Sequence, residues 1–299
     1  MTAKPARFLL CFGLGFSARA LVRRLDRSQW SVFATATSAD KADKLRRVDG
    51  LETCVFDGTA PSMAVREALS KATHIVVSAP PDERGDPVLL HHADDIALAP
   101  HLAWIGYLST VGVYGDRQGG WIDETTEPNP MQTRSRYRHE AELAWQALAA
   151  RAGKRCVLFR LAGIYGPGRS AIDNVRSGRA RRIIKTGQRF NRIHVEDIAR
   201  VVEASMNGRG IHDVYNLADD EASPPEDVIA YAAELLGEPM PPAVPFDDPS
   251  IGEMARSFYA ESKRVRNDRI KADLGIALAF PTYREGLAAI AAAKPAQRD

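Results

Sequence analysis

The sequence has few cysteines, and the pattern they form excludes two kinds of site. Its three cysteines, Cys11, Cys54 and Cys156, form no C-x-x-C pair and stand in or beside apolar runs. We therefore expect buried free thiols in a reducing compartment rather than disulfides. The seven histidines show no metal-ligand spacing either, so no metal site is predicted.

Long apolar segments and an excess of charge of one sign are also absent. No stretch reaches the roughly 18 apolar residues of a membrane span, and the short run FLLCFGLGF is interrupted by glycines, unlike a signal peptide. We expect a cytoplasmic protein that does not bind membranes. The net charge is +2 and no basic motif is interleaved with aromatic residues, so nucleic acid is not an expected partner. A small-molecule substrate is expected instead.

Short apolar runs alternate with amphipathic segments over the first 160 residues. Apolar strands separated by helices are typical of a parallel sheet that is covered on both faces. The predicted strands are Phe8–Phe12, Trp30–Thr35, Thr53–Phe56, His74–Ser78, Leu102–Leu108 and Cys156–Leu161. The predicted helices are Ala18–Leu25, Ala39–Arg47, Pro61–Leu69, Val88–Ala97 and Arg138–Arg151. The predicted fold class is therefore α/β, with a doubly wound parallel Rossmann sheet.

The pattern changes after Leu161, where glycine, arginine and proline become frequent. A helix over His194–Met206 and one more strand over Asp213–Leu217 are expected to return to the first domain. We predict a dinucleotide-binding Rossmann domain of residues 1–162, with residues 190–218 returning to it. A smaller C-terminal substrate lobe is predicted for residues 163–189 and 219–299.

The first predicted strand leads into Gly13-x-Gly15-x-x-Ala18, which opens the first helix. This is the G-x-G-x-x-G/A form of the dinucleotide-binding fingerprint, in the strand–turn–helix context that it requires. Gly13 permits the tight turn, and Gly15 lets the backbone approach a pyrophosphate. The first helical turn, with Phe16 and Ser17, favours phosphate through its N–H groups and the helix dipole. The alternative is a structural turn that binds no nucleotide.

The tip of the second predicted strand bears on which dinucleotide binds. An acidic residue about 20 positions after the glycines would hold a ribose 2′-hydroxyl, but Thr37 and Ser38 stand at this tip. Because no carboxylate there would repel a 2′-phosphate, NADP is favoured, with NAD as the alternative. Asp57 and Ala79-Pro80 follow two further strands, and ligands bind at the carboxyl ends of parallel strands. We predict that these residues also contact the cofactor.

Three later motifs extend the pattern along the chain. They are Ser109-Thr110-x-x-Val113-Tyr114-Gly115, Arg160-x-x-Gly163-x-Tyr165-Gly166-Pro167 and His194-Val195-x-Asp197. Together with the glycine turn, they resemble the extended short-chain dehydrogenase/reductase superfamily, the NAD-dependent epimerase/dehydratase group. The resemblance implies a nicotinamide cofactor, with Gly163 among its contacts, and a C-terminal substrate lobe. It also allows a homodimer that pairs through helices such as the one predicted over Arg138–Arg151.

In that family a Ser or Thr orients the substrate oxygen and a Tyr exchanges a proton with it. A Lys four residues after the Tyr lowers the pKa of the Tyr and holds the nicotinamide ribose. Thr110, with Ser109 beside it, matches the hydroxyl. The Tyr-x-x-x-Lys pair is altered, because Arg134 stands at the Tyr position and Arg138 at the Lys position. Arg138 can serve as the fixed cation, and Tyr137 is the candidate phenol in this segment.

This departure resembles the atypical branch of the superfamily, which keeps the cofactor site and lacks the usual catalytic triad. The alternative alignment takes Tyr137 as the family's Tyr, but it places Ala141 where the Lys belongs. Two functions stay open. One is an oxidoreductase or epimerase with altered acid–base groups, and the other is a cofactor-binding sensor or regulatory module without turnover.

Arginines are frequent between Arg169 and Arg192 in the predicted substrate lobe. One interpretation is an anion pocket, because guanidinium groups bind phosphates and carboxylates bidentately. The other is a solvated basic face. We expect Tyr165, Arg169 and Arg192 to contact the substrate, which is expected to be small and either anionic or sugar-derived.

Overall fold

The structure is a computed structural model that describes residues 7–293. Its strands are β1 (Arg7–Phe12), β2 (Trp30–Ala36), β3 (Glu52–Val55), β4 (His74–Val77), β5 (Trp104–Thr110), β6 (Trp121–Ile122), β7 (Arg155–Leu161), β8 (Gly163–Tyr165), β9 (Arg182–Ile184), β10 (Arg192–His194), β11 (Val214–Leu217), β12 (Ala243–Pro245) and β13 (Arg264–Val265). Its helices are α1 (Phe16–Arg24), α2 (Ala39–Asp49), α3 (Met63–Leu69), α4 (Pro87–Ala97), α5 (Thr133–Ala152), α6 (Ala171–Arg176), α7 (Val195–Met206), α8 (Pro225–Leu236), α9 (Glu253–Tyr259), α10 (Asp268–Ala272) and α11 (Tyr283–Ala292).

Seven strands form the central sheet, in the order β11-β7-β5-β4-β1-β2-β3. β1 pairs in parallel with both β2 and β4, β2 pairs in parallel with β3, and β4 with β5. The chain runs outward from β1 to β3 and then restarts on the other side of β1, as in a doubly wound sheet. The predicted α/β Rossmann fold is confirmed. The largest shift of an element is at α5, which begins at Thr133 rather than at Arg138.

Burial explains why the central strands read as apolar runs. Leu9, Leu10, Cys11 and Phe12 of β1 are completely buried, as expected for a parallel strand with both faces covered. Trp145 of α5 packs in the same core as Leu10 and Phe12. Each large apolar side chain buried in this way contributes about 1.5–3 kcal/mol. The strand ends that carry the candidate site therefore project from a rigid core.

The chain divides into two compact units. Unit 1 is the described part of Met1–Val113 together with Pro130–Arg160 and Ala199–Tyr215. Unit 2 is Tyr114–Asn129, Leu161–Ile198 and the described part of Asn216–Asp299. The division differs from the predicted boundaries in placing residues 114–129, 161–162, 190–198 and 216–218 in unit 2. Segment 114–129 belongs there because its strand β6 pairs with β13, a partner far along the chain.

Unit 2 has a hydrophobic core of its own. Tyr165, Ile172, Val228, Tyr283 and Leu287 are buried together in it. These residues come from β8 and from three helices, α6, α8 and α11. Unit 2 is thus a second packed body rather than an extension of the central sheet.

None of the helices within residues 7–293 is long and apolar enough to cross a membrane. In the same range, no group of three or more His, Cys, Asp or Glu side chains is placed to hold a metal ion. All three cysteines are free thiols. Cys11 and Cys156 are buried, whereas Cys54 is half-buried and so more exposed than expected.

Candidate cofactor and catalytic site

The turn between β1 and α1 has the conformation that its glycines predict. Gly13 adopts a φ of +81°, in the left-handed region that favours glycine. Its N–H donates to Thr35 Oγ1 at 2.9 Å, and its carbonyl accepts from Ser78 Oγ at 3.0 Å. A Cβ at position 13 would lie 3.0 Å from the same Ser78 oxygen. The turn is therefore held in place by the ends of β2 and β4.

Gly15 leaves the start of α1 open. It is the exposed N-cap residue of the helix, and a Cβ there would meet no atom within 4 Å. Gly15 provides no side-chain cap, and the first turn, where Phe16 is half-buried and Ser17 buried, carries no acidic residue. Such a helix start presents N–H groups and the positive end of the helix dipole to an anion. The site fits a pyrophosphate.

The tip of β2 carries the ammonium group of Lys41, which is bonded to Thr37. Ser38 caps α2 by accepting a hydrogen bond from the Lys41 N–H at 3.4 Å. Lys41 Nζ donates to Thr37 Oγ1 at 2.9 Å. Asp40, in the first turn of α2, is exposed. The NADP prediction was based on the absence of a carboxylate at this tip. The Lys41 ammonium is a second feature that would favour a 2′-phosphate there.

The other predicted cofactor contacts also follow strands of the central sheet. Asp57, after β3, is exposed, and its Oδ1 accepts from the Thr59 N–H at 2.9 Å and from Thr59 Oγ1 at 2.7 Å. These hydrogen bonds lower the pKa of the Asp57 carboxyl. Ala79 and the exposed Pro80 follow β4, and the Ala79 N–H donates to the Phe12 carbonyl at 3.1 Å. Asp57, Ala79 and Pro80 thus lie at the same edge of the sheet as the glycine turn.

Arg138 reaches from α5 to the ends of β4 and β5. Its Nη1 donates to the Ala79 carbonyl at 3.3 Å, to Tyr107 Oη at 3.1 Å and to the Leu108 carbonyl at 3.3 Å. Its guanidinium carbon lies 5.4 Å from the centroid of the Tyr107 ring, within cation–π range. All of these bonds use one nitrogen. Among the residues described, none accepts a hydrogen bond from Nε or Nη2 of Arg138, so these donors can serve a ligand.

The two hydroxyls at the end of β5 have different environments. Ser109 is buried, and its Oγ donates to Glu142 Oε1 at 2.5 Å. Glu142 also accepts hydrogen bonds from Arg160 Nε at 3.1 Å and Nη2 at 2.7 Å. Thr110 is half-buried, and its Oγ1 accepts from the Gly112 N–H at 3.0 Å. Successive side chains of a strand point to opposite faces, and the structure accordingly places Ser109 in a buried ion-pair network that Thr110 does not join.

A third hydroxyl, Ser135, was missed from the sequence. It is buried near the start of α5, one helical turn before Arg138. A Cβ on Gly112 would lie 2.8 Å from Ser135 Oγ and 3.3 Å from Thr110 Oγ1. Gly112 therefore brings both hydroxyls against one backbone position. The i, i+3 spacing of Ser135 and Arg138 was the available signal, since residues so spaced share a helix face.

Tyr137 and Arg134 lie on the same continuous helix as Arg138. Arg134 is exposed and Tyr137 is half-buried. Residues 133–152 are helical without interruption, so Tyr137 stands about 100° from Arg138 around the helix axis. The backbone contains no shift that would bring the Tyr137 phenol onto the face of Arg138.

The predicted substrate contacts belong to unit 2. Tyr165 and Arg192 line one pocket of about 280 Å³. Arg169 is exposed, and its backbone forms an isolated antiparallel β-bridge with that of Gly166. Gly163, the expected cofactor contact of this unit, is exposed in β8, and its N–H donates to the Asn191 carbonyl at 3.0 Å. The pocket therefore brings two of the predicted substrate contacts together.

Both the sequence and the structure of the chain are similar to those of known proteins. The family model described as the NAD dependent epimerase/dehydratase family matches residues 13–218. Protein YeeZ of Escherichia coli K12 is 29% identical over 239 residues, which cover 75% of this chain and 82% of YeeZ. The solved structure of a functionally unknown conserved protein from Silicibacter pomeroyi DSS is 49% identical, with a TM-score of 0.86 over 96% of this chain and 99% of that one.

A more distant structure is dTDP-glucose 4,6-dehydratase from Bacillus anthracis str. Ames, which was solved in complex with NAD. It has a TM-score of 0.77 at 15% identity, covering 96% of each chain. At this identity the likeness shows a shared fold.

Proposed function

The chain belongs to the NAD-dependent epimerase/dehydratase family, and we propose that it is an NADP-dependent oxidoreductase or epimerase-like enzyme with an altered Tyr-x-x-x-Lys site. Its substrate is a small anionic or sugar-derived molecule. The position and contacts of Arg138 are the main support for this proposal. This arginine stands at the position of the family's Lys, and its Nη1 is bonded to the carbonyls of Ala79 and Leu108 at the ends of β4 and β5. A fixed cation is thus kept although the Tyr is replaced.

The pyrophosphate of the cofactor would bind at the start of α1, where Gly15 leaves open space and the amides are oriented toward it. Lys41, with Thr37 and Ser38, would hold a 2′-phosphate, because an ammonium and two hydroxyls suit a doubly charged group. Further cofactor contacts are proposed at Gly13, Phe16, Ser17, Asp57, Ala79, Pro80 and Gly163.

Arg138 would donate to the nicotinamide ribose through Nε and Nη2. When bound, the nicotinamide supplies or accepts a hydride. The guanidinium stays charged near neutral pH, so it exchanges no proton. It holds the ribose and raises the local positive potential.

The acid–base groups would come from β5 and α5. The Thr110 hydroxyl orients the substrate oxygen. Tyr137 is the proposed phenol of this segment, and it acts from a helix face about 100° away from that of Arg138, so it does not stand where the family's Tyr does. Ser109 has no such role in this proposal, because its proton is committed to the buried Glu142 carboxylate. Tyr165, Arg169 and Arg192 are the proposed substrate contacts.

The cofactor assignment is tested by calorimetric titration with NADP⁺, NADPH, NAD⁺ and NADH. Micromolar binding of an NADP form is expected, with loss of binding in Gly15→Val. Gly252→Val is the matched control, because Gly252 is also an exposed helix N-cap where a Cβ would meet nothing within 4 Å. Tighter binding of the NAD forms would contradict the NADP assignment. No binding of any form by folded, cofactor-free protein would overturn the whole proposal.

Turnover is tested with Thr110→Ala and Tyr137→Phe once a substrate screen identifies one. Each variant is expected to lower hydride transfer, followed by NADPH absorbance, by about 10²-fold or more. Unchanged rates in both variants would remove these two residues from the mechanism.

The exposed Arg134 at the phenol position favours a second candidate function, a cofactor-binding sensor or regulatory module without turnover. This candidate predicts tight binding of one redox form and no hydride transfer in the screen. The double variant Arg134→Tyr, Arg138→Lys restores the family's Tyr-x-x-x-Lys pair. Activity gained toward a sugar nucleotide would indicate a decayed enzyme rather than a site reshaped for another use.

A further inference from the structure

The pocket in unit 2 has mainly apolar walls. The aromatic rings of Tyr165, Phe190 and Tyr259 line it together with Leu287. Tyr165 Oη donates to the Thr282 carbonyl at 3.3 Å, and Tyr259 Oη donates to the Ile183 carbonyl at 3.5 Å. Since these hydroxyls are already bonded to the backbone, the two tyrosines contribute their rings to the pocket.

A half-buried cation, Arg192, interrupts these walls. Its Nη1 donates to the Phe190 carbonyl at 3.1 Å and to Ser223 Oγ at 2.8 Å, which hold the guanidinium in position. Within residues 7–293, nothing accepts a hydrogen bond from its Nε or Nη2. A guanidinium with unused donors in apolar surroundings is unfavourable unless an anion pairs with it.

The nearby carboxyl does not neutralise Arg192. Asp219 interacts with it electrostatically, but the two side chains form no ion pair. Asp219 is buried, and burial raises the pKa of its carboxyl well above the usual value, which favours the neutral form. The positive charge of Arg192 is therefore left for a ligand.

We propose that this pocket binds a monocarboxylate that carries one aromatic ring. The carboxylate pairs with Arg192 through Nε and Nη2, in the bidentate geometry that guanidinium favours. The ring packs against Tyr165, Phe190 and Tyr259, because aromatic pairs are favourable in offset and edge-to-face arrangements. This inference rests on the proposed function and narrows its substrate class.

The size and charge of the pocket support this class over a sugar nucleotide. Pockets for drug-sized ligands measure about 300–1,000 Å³, and this one, at about 280 Å³, suits a single ring with a short acid chain. A diphosphate would bring two or more negative charges. Of the two arginines that line the pocket, Arg192 is half-buried and Arg181 is exposed, so the pocket offers one half-buried positive charge, which matches a single carboxylate.

The test uses the full chain and three probes in calorimetric titrations: 3-phenylpropionate, its neutral amide 3-phenylpropionamide, and UMP. The carboxylate is expected to bind at least tenfold tighter than either of the others, because only it offers both an anion and a phenyl ring. Equal binding of the acid and the amide would overturn the inference. Tighter binding of UMP would also overturn it and indicate a nucleotide ligand. These comparisons use the unaltered chain and do not depend on any variant folding.

Two variants locate the site. Arg192→Gln is expected to abolish the preference for the acid over the amide. Arg179→Gln is the matched control, since Arg179 is exposed in the same unit and its Nε bonds to Ser177 Oγ. Loss of the preference in the control alone would place the carboxylate elsewhere and overturn the inference.

The same preparations are titrated with NADPH without any carboxylate, which separates this inference from the proposed function. NADPH binding without a preference for the acid overturns the substrate class alone. Failure to bind NADPH overturns the proposed function and, with it, the claim that the pocket ligand is a substrate.

Discussion

Arg138 Nη1 lies 3.1 Å from the phenol oxygen of Tyr107, and the guanidinium carbon lies 5.4 Å from the centroid of the same ring. Tyr107 is completely buried in β5, and burial raises the pKa of its phenol. The phenol therefore stays neutral and accepts a hydrogen bond from the guanidinium. A lysine at this position would have no planar group to lie over the ring. Arg138 and Tyr107 thus form a matched pair that fastens α5 to the end of β5.

Arg138→Gln is expected to weaken NADPH binding at least tenfold, measured by calorimetry. A hydrogen bond from a charged group contributes about 1.5–3 kcal/mol, and tenfold corresponds to about 1.4 kcal/mol. The control is Arg136→Gln, because Arg136 is exposed on the same helix and, among the described residues, its side chain bonds only to Met131 and Thr133. If the two variants bind NADPH equally well, Arg138 does not hold the ribose.

Lys41→Ala is expected to lower the affinity for NADPH about tenfold and to leave the affinity for NADH unchanged, since it removes one charge-assisted contact to a 2′-phosphate. Lys44→Ala is the control, because Lys44 is exposed on the same helix. The ratio of the two dissociation constants is the measurement. An unchanged ratio in Lys41→Ala would argue against a 2′-phosphate at the tip of β2.

Glu142→Gln is expected to destabilise the fold by about 3–5 kcal/mol in denaturant unfolding, because it removes the negative charge from a buried ion pair with Arg160. Glu140→Gln, at an exposed position of the same helix, should change the unfolding free energy by less than about 0.5 kcal/mol. A loss of similar size in both variants would show that the helix, rather than the ion pair, is being perturbed.

The same ion pair predicts a pH dependence of stability. Burial alone would raise the pKa of the Glu142 carboxyl, but hydrogen bonds from His139 and Arg160 and the charge of Arg160 outweigh it, and the pKa is lowered. The stabilisation is then fully present above the unfolded-state pKa of about 4.3 and is lost as the pH falls through the lower folded-state value. The unfolding free energies of the wild type and Glu142→Gln should converge toward acid pH. Parallel curves would contradict this assignment.

Cys11 and Cys156 should resist alkylation in the native protein. Burial raises the pKa of both thiols to about 12, so the reactive thiolate is roughly 10⁻⁴ of the population at pH 8. Burial also raises the pKa of Cys54, but that side chain is half-buried. Mass spectrometry after iodoacetamide treatment should show Cys54 modified first, and the other two only in denaturant. Early modification of Cys11 would mean that β1 is not packed as described.

The glycine turn could be predicted from the sequence because it needs a positive φ at Gly13 and no side chain at Gly15, and both follow from residue identity. Gly13 and Gly15 lie between an apolar strand and a helix, and each predicted conformation is local. The environment of Ser109 could not be read in this way. Its hydroxyl bonds to Glu142, 33 residues away, and Glu142 bonds to Arg160 a further 18 residues on. Nothing in the spacing of these residues indicates that they meet.

The sequence by itself determined the alternation of strands and helices, the glycine turn between β1 and α1, and the arginines at the two positions that align with the family's Tyr and Lys. These follow from local backbone preference and from residue identity. Only the tertiary structure decided which nitrogen of Arg138 is bonded and that Arg192 lines a mainly apolar pocket. Each of these depends on packing between segments distant in the chain, where burial and the available hydrogen-bond partners select one side-chain arrangement.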